Sequence, residues 1–295
     1  MKISILLTAY KEEKTIRKAI ESILKNKIKH DFELIVLAPD DETLKTASLI
    51  AQSNTKIKIL KDEGRGKPAA LNLGIKKSTG DILILSDGDV YIDEKSLNPM
   101  IEKFTDPKVG AVTGHPITLN DRKSLFGYWS HLLTDMADLI RKKSISSRRM
   151  IVCSGYLYAF RKKLIEIIPE EALSEDAVIS HLIHDQSYKI EYCPESLVFV
   201  RYPTNFKDWI KQKKRSAGGY NQLSGYVKNK ERMRSFTKES LGIFKVLKYP
   251  KTMREFFYTI LLILARIYLW LSIFIDINIR KKSLKKLWLR VESTK

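Results

Sequence analysis

Two aspartates separated by a glycine follow an apolar run, and residue types at this spacing could do chemistry. Ile82–Leu85 predicts a buried strand, and Asp87, Gly88 and Asp89 come shortly after it. In open α/β sheets, ligands bind outside the carboxyl ends of the strands. Two carboxylates there repel each other unless a cation lies between them, and such oxygen ligands suit Mg²⁺ or Mn²⁺ bridging to a diphosphate. An ordinary surface turn is the alternative, since Asp and Gly are common turn residues.

Two further polar segments follow predicted strands. Thr8–Glu13 comes after the first strand and opens a helix, a place where a nucleotide can meet backbone N–H groups. A plain helix start with acidic residues in its first turn is the alternative. Asp40 and Asp41 follow the second strand, where they could reach a base or ribose or could cap the helix that follows.

A basic turn and a second acidic pair complete the candidate chemistry. Gly64–Lys67 combines two glycines with Arg and Lys and could approach a diphosphate, although it lacks the GxxxxGK[ST] pattern of a Walker A loop. Ser174–Asp176 places a second acidic pair before an apolar helix, and taken alone this segment indicates a helix N-cap.

Alternating strand and helix patterns must position these residues. Helical spacing of apolar residues occurs at 15–25, 44–51, 69–76 and 124–143. Short apolar runs predict strands at 3–7, 33–37, 57–60, 82–85, 109–113, 152–160 and 197–200. Such alternation is typical of βαβ units with a parallel sheet, and 295 residues suffice for one large α/β domain plus an appendage.

The positive charge is concentrated near the C-terminus. Residues 201–295 hold 23 of the 53 Lys and Arg residues but only 6 of the 34 Asp and Glu residues, which gives them most of the formal net charge of +19. This distribution indicates a polyanionic partner such as an anionic membrane surface or nucleic acid. A basic segment with Trp209 and Ile210, at 207–215, predicts an amphipathic helix at a membrane surface or a solvated basic face.

An apolar stretch of 20 residues, Phe256–Ile275, carries one charge, Arg266. Its length suits a membrane span. Basic residues flank it on both sides, however, and a single span would place one flank on the unfavourable side. A helix lying in the interface would keep both flanks at the anionic surface. A span, an interfacial helix and a buried core helix all remain open, and the first two predict membrane association.

The order of the motifs resembles the inverting glycosyltransferase family 2 with the GT-A fold. The resemblance covers about residues 1–216. It rests on six segments, which are TAYKEE from Thr8, GKPAALNLG from Gly66, DGD from Asp87, SGYLYAFRK from Ser154, SED from Ser174 and QKKR from Gln212. The implied architecture is α/β, a Rossmann-like mixed sheet flanked by helices. Residues 1–216 would form the catalytic domain, and 217–295 a basic, membrane-associating helical region.

The resemblance also implies roles for individual residues. Asp176 would be the general base, supported by Glu175, and Asp89 would bind Mn²⁺ or Mg²⁺. The nucleotide-sugar pocket would comprise Thr8, Ala9, Tyr10, Glu12, Asp40, Lys67, Asp87 and Gly88. The acceptor side would comprise Gly155, Tyr156, Gln212 and Arg215. The implied reaction transfers a sugar from a UDP- or GDP-linked donor to a lipid-linked acceptor at the cytoplasmic face of the cell membrane.

Two departures from the family pattern bear on this expectation. Pro39 stands where many relatives have an acidic residue, which leaves the base contact at Asp40 uncertain by one position. The QxxRW motif ends here in Ser216 rather than Trp, which argues against processive polysaccharide synthesis, the alternative within the same fold. A basic nucleic-acid-binding protein is the alternative from another class. The sequence shows no helix-turn-helix, RNP or zinc-finger pattern, and no nucleic-acid partner is expected.

Overall fold

The computed structural model describes residues 1–147, 149–226, 246–279 and 293–294. Their strands form one eight-stranded sheet. The strands are Ile3–Thr8 (β1), Phe32–Ala38 (β2), Ile57–Lys61 (β3), Ile82–Asp87 (β4), Tyr91–Ile92 (β5), Val109–Thr118 (β6), Leu157–Arg161 (β7) and Lys189–Val200 (β8). The helices are Ile16–Leu24 (α1), Asp41–Ala51 (α2), Lys67–Lys77 (α3), Leu97–Glu102 (α4), Leu125–Ser147 (α5), Glu175–Asp185 (α6), Phe206–Gln222 (α7) and Met253–Phe274 (α8).

The strand order along the sheet is β3-β2-β1-β4-β7-β6-β8-β5. The first four of these strands are parallel, as the alternation of strands and helices predicts. Strand β7 runs antiparallel to both of its neighbours, β4 and β6, whereas β6 and β8 are parallel. The predicted mixed sheet flanked by helices is therefore confirmed, and the carboxyl ends of β1 and β4 lie side by side.

Apolar side chains on both faces of the sheet explain the helical layers. On one face, Ile5 and Leu7 of β1 pack with Ile16 and Ile20 of α1. On the other face, Leu6 packs with Leu71 of α3. Since successive strand residues point to opposite faces, a continuous apolar run is what a strand covered on both sides requires.

Glu33 links three strands, β1, β2 and β3, near their amino ends. Its buried carboxylate accepts hydrogen bonds from the Ser4 hydroxyl at 2.6 Å, from the Lys58 ammonium at 2.6 Å and from the Thr79 amide at 2.7 Å. Burial acts to raise the pKa of Glu33, but these hydrogen bonds outweigh it and lower the pKa from 4.5 to about 2. The ionised carboxylate therefore stabilises the folded chain.

Replacing Glu33 with glutamine is expected to lower the free energy of unfolding by about 1.5–3 kcal/mol near neutral pH, as for other hydrogen bonds to a charged group. Because the folded pKa lies below the ordinary value, this contribution is complete above pH 4.5 and is lost as the pH falls towards 2. Urea unfolding at about pH 7 and about pH 3 measures it, with exposed Glu13→Gln as the control. An equal difference at both pH values would contradict this account.

The strand predicted at 152–160 begins later than the apolar run suggests. Only Leu157–Arg161 joins the sheet. Before it, the Cys153 amide donates to the Ser180 hydroxyl at 2.9 Å, and the Ser154 amide donates to the Thr113 hydroxyl at 2.8 Å. Side-chain hydroxyls thus accept the hydrogen bonds that a neighbouring strand would otherwise accept. The strand predicted at 197–200 is, conversely, the end of the longer β8.

The C-terminal part of the chain contributes two long helices. Helix α7 includes the segment predicted to be helical at 207–215 and continues through 216 and 217, so no break in secondary structure marks the expected domain boundary. Helix α8 coincides with the predicted apolar stretch and is long and apolar enough to cross a membrane, with a mean hydropathy of 1.9 in its most apolar window. The basic residues that follow it in sequence, at 280–286, lie outside the described residues.

Candidate active site

The site begins where β1 and β4 end beside each other. Thr8 and Asp87 are partners in the register of the two strands, and the Thr8 hydroxyl donates to the Asp87 carboxylate at 3.1 Å. The Gly88 amide donates to the Thr8 carbonyl at 2.8 Å. A Cβ at Gly88 would lie 2.8 Å from the Cβ of Ala9. The DGD turn therefore needs glycine in order to sit this close to the neighbouring strand.

Lys67 joins the two acidic pairs that the sequence contains. Its ammonium lies 2.7 Å from Asp87 Oδ1 and 2.7 Å from Glu175 Oε1, and it also donates to the Gly155 carbonyl at 3.4 Å. Burial opposes its charge, but the two carboxylates raise the pKa of Lys67 well above its ordinary value. Lys67 is therefore the shared counter-ion of carboxylates that are 88 positions apart in the sequence.

A glycine turn presents Lys67 at the first position of α3. Gly64 and Gly66 both adopt positive φ angles, +68° and +112°, which side chains of other residues rarely tolerate. Pro68 then occupies the first turn of the helix, where its missing N–H is not needed. The predicted basic glycine turn thus positions the Lys67 side chain in the site.

Helix α6 carries the second acidic pair in its first turn. Ser174 holds the N-cap position but makes no side-chain capping bond, so capping does not account for this segment. Burial acts to raise the pKa of Glu175, but the Lys67 ammonium outweighs it and lowers this pKa. Burial and the neighbouring Glu175 carboxylate raise the pKa of Asp176 to about 6, against the opposing effect of Lys67. The two adjacent carboxyls are therefore electrostatically distinct.

The first acidic pair shows a similar asymmetry. Asp87 contacts Lys67 directly, whereas burial and the nearby Asp87 charge raise the pKa of Asp89 despite the opposing charges of Lys67 and Arg215. A cation bound beside Asp89 would relieve this repulsion.

The carboxylates fit a divalent cation that shares its ligands with a substrate. Among the described residues, no cluster of three or more His, Cys, Asp or Glu side chains forms a closed metal cage. Asp87 and Asp89 both line the cavity described below. Mg²⁺ is commonly bound through one or two carboxylates plus substrate phosphates, and two carboxylates suit that arrangement.

Helix α7 and the turn before β7 form the next part of the site. The Gln212 side-chain nitrogen lies 3.5 Å from the Tyr156 hydroxyl, and the Tyr156 ring packs edge-on against Tyr202 with centroids 5.8 Å apart. The Gln212 side-chain oxygen is buried and has no hydrogen-bond partner among the described residues. Gln212, Arg215 and Tyr156 all line the cavity, as does Gly155. The structure thus brings the four predicted acceptor-side residues together.

One cavity of about 1000 Å³ contains these groups. This volume is at the upper end of the usual range for ligand sites, which is about 300–1,000 Å³. The nucleotide arm is the name used here for the lining residues predicted to bind a nucleotide, namely Thr8, Ala9, Tyr10 and Glu12. The α5 arm is the name for the lining residues of α5 and α7, namely Phe126, Ser130, Leu133, Thr134, Ala137, Arg141 and Trp209. The carboxylates of Asp87, Asp89, Glu175 and Asp176 line the same cavity, whose volume is large enough for two substrates.

Asp40 is placed differently from the other predicted pocket residues. Its carboxylate accepts hydrogen bonds from the Thr43 amide at 3.0 Å and the Lys11 amide at 2.8 Å, which makes it the N-cap of α2. The cavity wall at this end is formed by Pro39 and Asp62 instead. The capping alternative considered from the sequence therefore describes Asp40.

Several residues that line the cavity were not predicted from the sequence. Asp62 follows β3, and burial raises its pKa. Its position directly after β3, a third parallel strand, is the feature of the sequence that could have predicted it as a site residue. The hydroxyls of Ser130 and Thr134 interrupt an amphipathic helix pattern, which was a weaker signal. Both are buried, and both line the α5 arm.

Comparison with known proteins agrees with this geometry. The sequence profile of glycosyl transferase family 2 matches residues 4–167. The chain is 28% identical over 229 residues to the poly-beta-1,6-N-acetyl-D-glucosamine synthase of Staphylococcus aureus (strain COL), a match that covers 75% of this chain and 55% of that protein. The Staphylococcus epidermidis protein of the same name matches with the same identity and coverage. The chain spans about half the length of these curated relatives.

Solved structures share the fold at low sequence identity. The mannosyltransferase PcManGT from Pyrobaculum calidifontis, in complex with GDP-Man and Mn²⁺, has a TM-score of 0.61 at 18% identity, covering 92% of this chain and 70% of that one. S. aureus TarS 1-349 in complex with UDP has a TM-score of 0.55 at 16% identity, covering 84% and 72%. These likenesses establish the GT-A type of fold. The profile match extends over more than half of the sequence, and the chain therefore belongs to glycosyl transferase family 2.

Proposed function

We propose that this chain is an inverting, metal-dependent hexosyltransferase that moves a sugar from a UDP- or GDP-linked donor to a lipid-linked acceptor, such as a polyprenyl phosphate or a lipid-linked glycan. It would act at the cytoplasmic face of the cell membrane, with 1–216 as its catalytic domain and 217–295 as its C-terminal region. The observation that carries the proposal is Lys67, whose ammonium lies 2.7 Å from both Asp87 and Glu175 in one cavity of about 1000 Å³.

The donor would occupy the arm at the ends of β1 and β4. Its nucleoside would lie against Thr8–Glu12, and its diphosphate would approach Asp87, Gly88 and Asp89. Asp89, with Asp87 beside it, would hold Mn²⁺ or Mg²⁺, and such a cation neutralises the charge that develops on a diphosphate leaving group. Support comes from the mannosyltransferase of the same fold that holds GDP-Man and Mn²⁺.

The acceptor would react from the side of α6. Asp176 would remove the proton from the acceptor hydroxyl as that oxygen forms a bond to the anomeric carbon. The bond from the anomeric carbon to the diphosphate oxygen breaks, and its electron pair leaves with the nucleoside diphosphate. Attack opposite to the leaving group inverts the anomeric configuration. An acceptor phosphate is already ionised, and for such an acceptor Asp176 would only orient the nucleophile.

A lipid-linked acceptor is favoured by the surroundings of the α5 arm. Trp209 lines this arm and also packs against Leu262, Ala265 and Leu269 of the apolar helix α8. Phe126 and Leu133 of this arm pack against the same cluster, so apolar side chains connect the α5 arm with the apolar helix α8. This arrangement supports an acceptor that approaches from the lipid side.

Processive polysaccharide synthesis is the second candidate, because the curated relatives with 28% identity are poly-beta-1,6-N-acetyl-D-glucosamine synthases. The replacement of the motif's Trp by Ser216 argues against it. Product length separates the two candidates. A single-sugar product on a lipid acceptor supports the first, and a ladder of polymer on a gel supports the second.

Nucleotide binding is the first test of the proposal. UDP or GDP, but not both equally, is expected to raise the melting temperature in the presence of Mn²⁺, whereas CMP is not. A ligand at a hundredfold excess over its Kd stabilises a protein by about 2.7 kcal/mol. The shift should disappear without the metal and in Asp89→Ala.

Asp31→Ala is the matched control, because Asp31 is exposed and lies before β2, away from the carboxyl edge of the sheet. It should keep the full nucleotide-dependent shift. If a correctly folded protein gave no shift with any diphosphate, the proposed function would fail.

A further inference from the structure

Helix α8 is fixed to the catalytic domain by buried polar contacts near its start. Glu255 forms an ion pair with Arg122 at 2.8 Å, and the Thr259 hydroxyl lies 2.6 Å from the Tyr128 hydroxyl. The Trp129 indole donates to the Tyr258 carbonyl at 2.8 Å. Breaking a buried ion pair by removing one partner is strongly unfavourable, and these contacts therefore hold α8 against α5.

A second ion pair holds the chain just beyond the end of α8. Asp276 lies 2.7 Å from the ammonium of Lys214 in α7, and its side chain is only 6% exposed. Phe206 at the start of α7 packs against Tyr268, with ring centroids 5.8 Å apart. Helices α7 and α8 therefore run side by side in the same direction.

The two ion pairs lie as far apart as a membrane is thick. At 1.5 Å per residue, the 21 residues from Glu255 to Asp276 span about 32 Å, close to the hydrocarbon thickness of about 30 Å. If α8 crossed a bilayer in this position, α7 would enter the hydrocarbon beside it, with Lys211 and Asp208. The contacts of α8 are thus incompatible with a membrane span.

The opposite face of α8 is apolar and exposed along its whole length. Residues three or four positions apart form a stripe, here called the outer stripe, which comprises Phe257, Ile260, Leu264, Ile267, Leu271 and Phe274. Each of these residues is between 36% and 58% exposed. Monomeric soluble proteins rarely expose a continuous apolar patch of this extent.

The charges around the outer stripe identify what covers it. Lys248, Lys251 and Arg254 precede or begin the helix. The sequence that follows adds Arg280, Lys281, Lys282, Lys285 and Lys286. Basic residues thus flank the apolar helix on both sides in the sequence, which matches an anionic lipid surface, where each nearby Lys or Arg contributes about 1 kcal/mol. A second copy of this chain would bring like charges together instead.

We propose that α8 lies in the plane of an anionic bilayer surface, with its outer stripe in the lipid interface and its inner face on α5 and α7. The proposal deepens the membrane association in the proposed function and does not depend on which sugar is transferred. Because Trp209 lines the cavity and also belongs to the cluster on the inner face of α8, the α5 arm would then lie close to the membrane surface.

Vesicle flotation tests the lipid contact. The full chain is expected to float with phosphatidylglycerol vesicles and much less with phosphatidylcholine vesicles. The double variant Leu264→Asp with Leu271→Asp should lower flotation at least tenfold. Both residues are 57% exposed, so the fold should tolerate the change. The matched control is Leu49→Asp with Ile167→Asp, at residues that are 54% and 66% exposed on other surfaces, and it should float like the parent.

Cysteine labelling separates a helix in the plane from a span. Lys251→Cys and Ile279→Cys place single thiols near the two ends, while the native Cys153 and Cys193 are buried and give little background. In inverted membrane vesicles an impermeant maleimide should label both ends, and in right-side-out vesicles neither. Labelling of one end only in each preparation would show a span and overturn the proposal.

Two further outcomes would also overturn it. If the double aspartate variant floated normally, or if it only converted a dimer into a monomer, the outer stripe would not be a lipid contact. Flotation and nucleotide-dependent melting of the parent chain keep the two proposals apart. A parent chain that floats but shows no nucleotide shift contradicts the proposed function alone, and one that shows the shift but does not float contradicts this inference alone.

Discussion

Replacing Asp176 with asparagine is expected to lower the turnover number about 10²- to 10⁴-fold, the usual contribution of a general base. Nucleotide binding should be retained, with at most a modest change in affinity, because Lys67 contacts Asp87 and Glu175 rather than Asp176. Asparagine keeps the size of the side chain but cannot accept the acceptor's proton. Transfer of a radiolabelled sugar, measured beside the nucleotide-dependent melting shift, separates the loss of chemistry from the loss of binding.

The pH dependence gives the same prediction a second readout. Asp176 must be ionised to act as a base, and its pKa is raised to about 6. The rate in the parent should therefore fall as the pH drops through 6 and level off above it. Asp185→Asn, at the other end of α6, is the control and should keep both the rate and the profile. A turnover number unchanged in Asp176→Asn would contradict the role of base.

Replacing Lys67 with methionine is expected to have the largest effect on stability. It leaves Asp87 and Glu175 without the ammonium that both contact at 2.7 Å, in a place where these side chains are 24% and 11% exposed. Removing one partner of a buried ion pair costs about 3–5 kcal/mol. Urea unfolding near neutral pH measures the loss, and donor affinity should fall with it. Lowering the pH should reduce the difference, since protonated carboxyls no longer need a counter-ion.

Lys61→Met is the matched control for this change. Lys61 also forms an ion pair at 2.6 Å, with Asp41, but both side chains are mostly exposed. Such surface pairs contribute about 0–1 kcal/mol. Equal losses in Lys61→Met and Lys67→Met would show that the buried position of Lys67 has no special role. Lys67→Arg, which keeps the charge, should recover stability better than it recovers activity.

Much of the fold was predictable because apolar periodicity and burial coincide. The strands ending at Thr8 and Asp87 and the helices after them follow directly from runs such as Ile82–Leu85. Prediction failed where a side chain replaces a backbone partner. The segment predicted as a strand begins at Val152, but the amides of Cys153 and Ser154 donate to the hydroxyls of Ser180 and Thr113, and no local pattern encodes such distant partners.

The candidate site was predictable as a set of residues but not as an arrangement. The DGD and SED segments indicate carboxylates, whereas the ammonium between them belongs to Lys67, in a third segment of the sequence. Asp40 shows the reverse case, because its type and position suit both a pocket and a helix cap, and only the Lys11 and Thr43 amides decide between them. The proposal of a surface helix rather than a membrane span likewise rests on Arg122 and Lys214, which are remote from α8 in sequence.

Lys67 also couples the charge of Asp87 electrostatically to that of Glu175, because its ammonium contacts both carboxylates. A ligand that draws the Asp87 charge to itself leaves more of the ammonium's field to Glu175, and this alters the proton affinity of Asp176 beside it. Thermodynamic linkage makes such an influence mutual. If a nucleotide-sugar donor binds at Asp87 as proposed, the protonation state of Asp176 would change donor affinity by the same factor by which the donor changes that protonation. Occupancy near Asp87 would thereby be felt at Glu175 and Asp176 through the single ammonium of Lys67.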